Sequence, residues 1–250
     1  MHVVPLVGLP EISPGTELAD LLAARLQTET VDWGSSPLLV LAQKIISKAE
    51  GRYVDLAEIT PDAQALELAR VTGKDPRMIS LILAESSEVV RAVPGLIIVR
   101  HRLGYVMANA GIDQSNIPMQ GRDLALLLPE DPHASARHLL EQLRKLECPL
   151  AGIIISDSFG RPWRQGVVNI ALASAGIPAL IDRRNTADRH GRTLQVTQIA
   201  FADAVAAAAG RVMGEAEEGV PAALVCGLMT QAPEVDCRAL LRPPEMDLFQ

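Results

Sequence analysis

The chain has 250 residues, of which 48% are hydrophobic and 21% charged, and its formal net charge at pH 7 is −7. This composition is typical of a globular protein with a large core, in one broad domain or two small ones. The acidic charge and an aromatic content of only 3% argue against a nucleic-acid binder or a protein that binds anionic membranes.

The cellular compartment is predicted from the first residues and from the cysteines. The start lacks a basic segment before an apolar run, and no stretch approaches the roughly 20 apolar residues that span a bilayer. Cys148, Cys226 and Cys237 show no paired spacing, which indicates free thiols in a reducing compartment. We therefore expect a cytoplasmic protein.

The first third of the chain alternates between apolar runs and polar connections. Residues 3–9 and 37–42 predict strands, and a helix with leucines on one face lies between them. The connection 8–14 could bind an anion at the helix start, although a plain turn is the simpler interpretation. The stretch 43–52 is predicted to be a loop, in which a lysine could bind phosphate but solvation is the simpler role.

Three further helices are predicted where a capping residue precedes proline. They begin at Thr60-Pro61, Asp75-Pro76 and Asp131-Pro132, and the first is expected to bury Ala65, Leu66 and Ala69. Additional strands are predicted at 96–99, 106–107, 124–128, 176–181, 194–199 and 222–225, and an alanine-rich helix at 202–213.

Polar residues crowd into the stretch from Tyr105 to Ile117, YVMANAGIDQSNI. Asparagine, aspartate and glycine favour turns, which is one interpretation. Asp113 and Asn116, however, lie between two isoleucines, and a half-buried carboxylate needs a cationic partner such as a metal or an arginine. The pattern therefore indicates a candidate site.

The most informative stretch is 151–166, AGIIISDSFGRPWRQG. Its three consecutive isoleucines predict a strand buried on both faces. Asp157 with its flanking serines, followed by Arg161 and Arg164, would then lie where strands of an α/β sheet end and ligands collect. These groups can hold a hard cation and an anion together, and a surface ion pair is the alternative.

Two later loops are less decisive. Residues 182–192 carry four arginines and two aspartates, which suit either solvation or anion binding. Residues 213–221 place three carboxylates between two glycines, in a solvated loop or beside a metal. His190 lacks a second histidine at ligand spacing, so zinc is not expected. The chain has no Walker loop, G-x-G-x-x-G, G-x-S-x-G or internal repeat.

Taken in order, these polar stretches resemble the coenzyme F420-0:L-glutamate ligases, the gamma-glutamyl ligases of a deazaflavin coenzyme. The combination of ANAGIDQSN with ISDSFGRPWR is specific, whereas GKDP alone would mean little. The matching runs span nearly the whole chain and are VGLPEI, ISKAEGR, GKDP, ANAGIDQSN, LLPEDPHASA, ISDSFGRPWR, DRHGR and VMGEAEEGVP.

The resemblance implies a mixed α/β (α+β) fold in two lobes that forms an intertwined homodimer. It implies one ligase domain over residues 1–250, divided into two sub-lobes, without the C-terminal flavin-binding extension of some relatives. It also implies GTP as co-substrate, two Mg or Mn ions, potassium, and L-glutamate and coenzyme F420-0 as substrates.

The resemblance also implies roles for particular residues. Asp113, Asp157, Arg161 and Arg164 would be catalytic, with the arginines on phosphate or substrate carboxylate. The metal ligands would be Asp113, Asp157, Ser158 and Glu215. The GTP ligands would be Leu9, Pro10, Glu11, Ile12, Gln43, Lys44, Lys48, Asn116, Met213, Gly214, Glu215, Ala216, Glu217, Glu218, Gly219 and Val220.

The implied reaction passes the GTP γ-phosphoryl group to the terminal carboxylate of coenzyme F420-0, and the glutamate amine then attacks the acyl phosphate. Three departures from the family pattern, Ala173 in an expected helix, Asn185 and Ala204, are expected at the edges of the site loops. A metal-dependent nucleotide phosphohydrolase, a ligase for a related carboxylate and a non-catalytic nucleotide-binding dimer are the alternatives.

Overall fold

The computed structural model describes residues 1–30, 33–34, 36–118, 121–228 and 230–247. The strands in these ranges are β1 (His2–Pro5), β2 (Leu38–Ala42), β3 (Tyr53–Asp55), β4 (Ser86–Val93), β5 (Leu96–His101), β6 (Val106–Ala108), β7 (Leu124–Leu126), β8 (Gly152–Arg161), β9 (Arg164–Ala175), β10 (Leu180–Asp182), β11 (Gln198–Ala200) and β12 (Ala222–Cys226). The helices are α1 (Leu18–Gln27), α2 (Gln43–Ala49), α3 (Ala63–Thr72), α4 (Pro76–Ala84), α5 (Pro132–Lys145) and α6 (Phe201–Met213).

A five-stranded sheet in the order β1-β12-β2-β8-β9 forms the largest unit. Strands β2 and β8 pair in parallel and the other neighbours pair antiparallel. Helices α1, α2 and α5 pack on one face of the sheet and α6 packs on the other. The isoleucines of β8 are therefore buried from both sides, as their continuous apolar run predicts.

A second core lies under a three-stranded antiparallel sheet in the order β4-β5-β6. Ile97 and Val99 of β5 are fully buried there against Ile79 and Ile82 of α4. Helix α3 and the β3–β7 pair complete this core. The sheets and helices together confirm the predicted mixed α/β class, whereas the lobe boundary and the homodimer stay predictions.

The prediction of a loop over residues 43–52 is wrong, because β2 continues directly into helix α2. Ile45 and Ile46 are buried in the core beneath the large sheet. Gln43, Ser47 and Lys48 are buried as well. Composition misled here because buried polar side chains look like a solvated surface when only the sequence is read.

The prediction that the strand ends at Asp157, after the isoleucine run, is also wrong. Strand β8 continues through Arg161 and turns back at once into β9, with Asp157 paired to Ile170. Asp157 therefore lies inside a strand instead of at its end. Ala173, expected in a helix, pairs with Ile155 in β9.

Several helix predictions are confirmed with adjusted ends. The side chains of Asp75 and Asp131 accept hydrogen bonds from backbone N–H groups at the start of α4 and α5. The cap of α3 is Asp62 instead of Thr60, and Leu66, predicted to be buried, is 45% exposed. None of the helices in the described ranges is both long and apolar enough to cross a membrane.

The predicted strands differ mainly in length. The strand predicted at 194–199 is only the exposed, three-residue β11, paired with an equally short β10. Strand β4 was not predicted. Its alternation is broken by two register shifts against β5, so a period of two residues is lost within it.

Candidate functional site

A cavity of about 1400 Å³ lies between the large sheet and the β4-β5-β6 sheet. All of the residues that the resemblance implied for GTP, metal and catalysis line this one cavity. They come from the stretches 9–12, 43–48, 113–116, 156–164 and 213–220. The fold therefore brings together segments that are far apart in the chain, although their individual roles stay predictions.

Lys44 and Asp113 form the link across the cavity floor. Lys44 lies in the first turn of α2, and its Nζ donates to Asp113 Oδ2 at 2.7 Å and to Ser115 Oγ at 3.2 Å. Burial raises the pKa of Asp113, but the hydrogen bonds from Lys44 and Ser115 outweigh burial and hold that pKa below its ordinary value. Asp113 is thus an anion at neutral pH.

Asp157 is the carboxylate with the strongest need for a cation. Burial is the main cause that raises the pKa of Asp157 to about 7, and the charges of Asp113 and Glu215 contribute to this rise. The backbone N–H of Ser158 and the charge of Lys44 act in the opposite direction. A buried carboxylate whose proton affinity is raised by two neighbouring carboxylates is an arrangement that a bound cation stabilises.

Glu215 is held in place by two side chains from the β8–β9 hairpin. Ser158 Oγ donates to Glu215 Oε2 at 2.5 Å, and Asn169 Nδ2 donates to Glu215 Oε1 at 2.8 Å. Asn169 was not predicted from the sequence, although an asparagine in the apolar run VVNIALASA is the pattern that could have indicated it. A side chain at Gly210 in α6 would clash with Asn169, so this glycine makes room for it.

Lys48 adds a buried ammonium group to the cavity, one helical turn after Lys44 in α2. Its side chain is 7% exposed and forms a short ion pair with the more exposed carboxylate of Glu11. The buried ammonium therefore has an exposed carboxylate as its charge partner. A phosphate group can replace such a partner.

The acidic loop after α6 is tied to the 113–116 turn. Asn116 Nδ2 donates to the carbonyl oxygen of Ala216 at 3.1 Å, and Ala216 N–H donates to Glu218 Oε2 at 2.8 Å. Arg161 and Arg164 lie at the tip of the β8–β9 hairpin, where Arg161 Nη1 donates to Gly166 O at 3.4 Å. Their guanidinium groups line the cavity edge.

The oxygen-only donor set of Asp113, Asp157, Ser158 and Glu215 fits a hard divalent cation, which prefers carboxylate and hydroxyl oxygens. In the described ranges, no three side chains of His, Cys, Asp or Glu are gathered closely enough to hold one ion. The protein alone would thus supply part of a coordination sphere. Substrate and water oxygens would complete it, as is usual for Mg²⁺.

The three departures from the family pattern do not lie at the cavity. Ala173 is buried in β9 and Ala204 is exposed on α6. These two residues and Asn185 are all outside the set that lines the cavity. Asn185 has a φ of 64°, a left-handed conformation that asparagine tolerates better than most residues other than glycine. The expectation that these positions border the site is therefore wrong.

Comparison with known proteins gives concordant matches over the chain. The family model described as "F420-0:Gamma-glutamyl ligase" matches residues 7–227. The coenzyme F420:L-glutamate ligase of Methanopyrus kandleri is 42% identical, with 100% of this chain and 98% of that protein covered. Proteins of the same name from Methanothermobacter thermautotrophicus and Archaeoglobus fulgidus are 40% and 38% identical, with 100% of this chain and 99% and 96% of each protein covered.

Proposed function

This chain belongs to the F420-0:gamma-glutamyl ligase family, and we propose that it joins L-glutamate to coenzyme F420-0 in a reaction driven by GTP. The observation that carries the proposal is the single cavity in which Lys44 and Lys48 face Asp113, Asp157 and Glu215. Ammonium groups suit a triphosphate, and an oxygen-rich acidic cluster suits the divalent ions that accompany one. The names of the relatives supply the acceptor and the amino acid.

We assign the nucleotide to the side of the cavity formed by residues 9–12, α2 and the 213–220 loop. Lys48 would exchange its ion pair with Glu11 for a phosphate oxygen, and Lys44 would exchange Asp113 for another. Asp113, Asp157, Ser158 and Glu215 would hold Mg²⁺ or Mn²⁺, which supplies charge neutralisation of the phosphates when bound. Asn169 would keep the Glu215 carboxylate in a fixed orientation.

The reaction needs an activated carboxyl group, because a carboxylate does not react with an amine directly. A carboxylate oxygen of coenzyme F420-0 would attack the γ-phosphorus of GTP, so that GDP leaves and an acyl phosphate forms. The glutamate nitrogen would then attack the carbonyl carbon, lose a proton and expel phosphate. Positioning and charge stabilisation account for most of the acceleration of such phosphoryl transfers.

No covalent enzyme intermediate is needed for this route. The three cysteines are buried, and none of them is among the residues that line the cavity. Burial raises the pKa of Cys148 and raises that of Cys237 to about 12, so these two thiols are poor nucleophiles at neutral pH. The acceptor carboxylate itself is therefore the nucleophile in the first step.

A coupled assay tests the proposal. Phosphate release from GTP should require a divalent ion, L-glutamate and coenzyme F420-0 together, and mass spectrometry should show the acceptor with one or more added glutamyl groups. Release that proceeds without the acceptor and glutamate would identify a phosphohydrolase instead. An ¹⁸O label in the acceptor carboxylate should appear in the released phosphate, and its absence there would rule out the acyl phosphate.

A further inference from the structure

The inner face of the β4-β5-β6 sheet covers a core, and its outer face carries aliphatic side chains beside charged ones. Side chains alternate along β5, so that Ile97 and Val99 point into the second core while Leu96 and Ile98 lie on the opposite face. The outer face of an antiparallel sheet is usually polar. Here the outer face is a wall of the cavity.

We call the four aliphatic residues on this face, Val90, Leu96, Ile98 and Val106, the apolar wall. Leu96 and Val106 are each 39% exposed, and with Val90 and Ile98 they are gathered on one side of the cavity instead of being scattered singly over the surface. Glu88 and Arg91 of β4 border the wall. The cavity thus has a charged half near α2 and an aliphatic half near β5.

The aliphatic half is continuous with the proposed reaction centre. Strand β6 carries Val106 and leads directly into the turn Asn109–Gly111, after which the chain reaches Asp113. Asn109 and Ala110 both have positive φ values, 53° and 54°, so this turn is tightly determined. A ligand on the apolar wall therefore has one end beside the carboxylate cluster.

The cavity is also larger than one ligand requires. Its volume of about 1400 Å³ exceeds the roughly 300–1000 Å³ of a typical small-molecule site. A nucleotide bound near Lys44 and Lys48 would leave the apolar wall free for a second ligand. The space along β4 and β5 is lined by branched aliphatic side chains with Glu88 and Arg91 at their border. Aliphatic side chains beside a guanidinium suit the face of a planar ring.

We propose that the apolar wall binds the deazaflavin ring of the acceptor and directs its carboxylate toward Asp113 and Asp157. This inference rests on the proposed function and adds the part of the protein that selects the acceptor. Leu96, Ile98 and Val106 contact the ring face, and Arg91 stacks at its edge. The ring lies on the side of the carboxylate cluster opposite Lys48, so that acceptor and nucleotide meet at the cluster.

The test compares two double variants by fluorescence titration with coenzyme F420-0. Leu96→Gln/Val106→Thr should bind coenzyme F420-0 about ten-fold more weakly, because two apolar contacts to the ring are lost. The GTP affinity should stay unchanged. Leu66→Gln/Val71→Thr, at residues 45% and 42% exposed on α3 and away from the cavity, is the matched control and should bind both ligands normally.

A deazaflavin riboside, which has the ring but neither phosphate nor carboxylate, should show the same loss in the wall variant. If the wall variant binds both deazaflavins with the dissociation constants of the wild type, and the wild type forms the glutamyl product, the inference about the wall is overturned and the proposed function stands. If the wild type shows no deazaflavin-dependent turnover, both the proposed function and the inference about the wall are overturned. Sedimentation that shows a smaller assembly for the wall variant makes the wall a subunit interface and overturns the inference. If the double variant does not fold, the isosteric Val106→Thr alone is compared with Val71→Thr.

Discussion

Lys44 Nζ donates to Asp113 Oδ2 at 2.7 Å, across 69 positions of sequence and between the two main cores. This hydrogen bond joins a residue assigned to the nucleotide to a residue assigned to the metal. In the free protein, the ammonium group occupies the position in which a cation would stabilise the carboxylate. A divalent ion bound at Asp113 would compete with Lys44 for this carboxylate, and an ammonium released in this way would be available to phosphate.

The first prediction concerns this competition. Lys44→Met should weaken GTP binding about ten-fold, since a charged hydrogen-bond donor is lost. The same change should strengthen Mn²⁺ binding in the absence of nucleotide, because a competing positive charge leaves Asp113. Calorimetry with each ligand separately measures both effects. Lys74→Met, outside the cavity, is the control, and a parallel loss of both affinities would show that Lys44 does not compete with the ion.

The second prediction concerns the Lys48–Glu11 pair. Lys48→Ala should weaken GTP binding by about ten-fold or more while Mn²⁺ binding changes little, because the ammonium is buried and is paired with Glu11, which is not among the proposed metal ligands. Titration calorimetry gives both constants. Arg70→Ala removes a similar but exposed ion pair, with Glu67, and should leave both unchanged. An unaltered GTP affinity in Lys48→Ala would remove Lys48 from the phosphate site.

The third prediction concerns Asp157 and pH. Its pKa is about 7 in the folded protein and about 4 when the chain is unfolded, so the folded state holds a proton more tightly between these values. The free energy of unfolding should therefore fall as pH rises from about 4 to 7, as the stability due to the neutral carboxyl is lost. Mn²⁺ should restore it at pH 8.

Asp157→Asn tests this assignment by thermal unfolding at pH 5 and pH 8 in the presence of a chelator. The variant should lose the pH-dependent decrease and the stabilisation by Mn²⁺, because asparagine neither titrates nor carries the charge. It should stay folded but have no metal-dependent turnover. A variant that keeps near-normal turnover, or an unchanged Mn²⁺ effect, would exclude Asp157 from the ion site.

The fourth prediction concerns the support of Glu215. Gly210→Ala would normally stabilise a helix by up to about 1 kcal/mol, but here the new methyl group would displace Asn169. We expect lower stability and weaker Mn²⁺ binding, since Glu215 loses its orienting amide. In an Asn169→Ala background the space is free, so Gly210→Ala should become neutral or stabilising. Additive effects in this double-mutant cycle would refute the contact.

Local sequence patterns were sufficient for much of the fold. The isoleucines of β8 predicted a strand buried on both faces, since a continuous apolar run has no solvent side. Asp75 and Asp131 before proline predicted two helix starts, because capping and a fixed φ act within one turn. Within the described ranges, two of the errors have a clear local cause, namely buried polar residues in α2 and interrupted alternation in β4.

The sequence by itself determined the family, since the oxygen-rich runs match it in order, and it determined which residue types supply the charges of the site. The tertiary structure alone decided how they meet: that Lys44 contacts Asp113, that Asn116 reaches Ala216 over 100 positions, and that Asn169 holds Glu215. It also turned an apolar sheet face toward the same cavity. Strand pairing and core packing fix such long-range distances, and local periodicity carries no information about them.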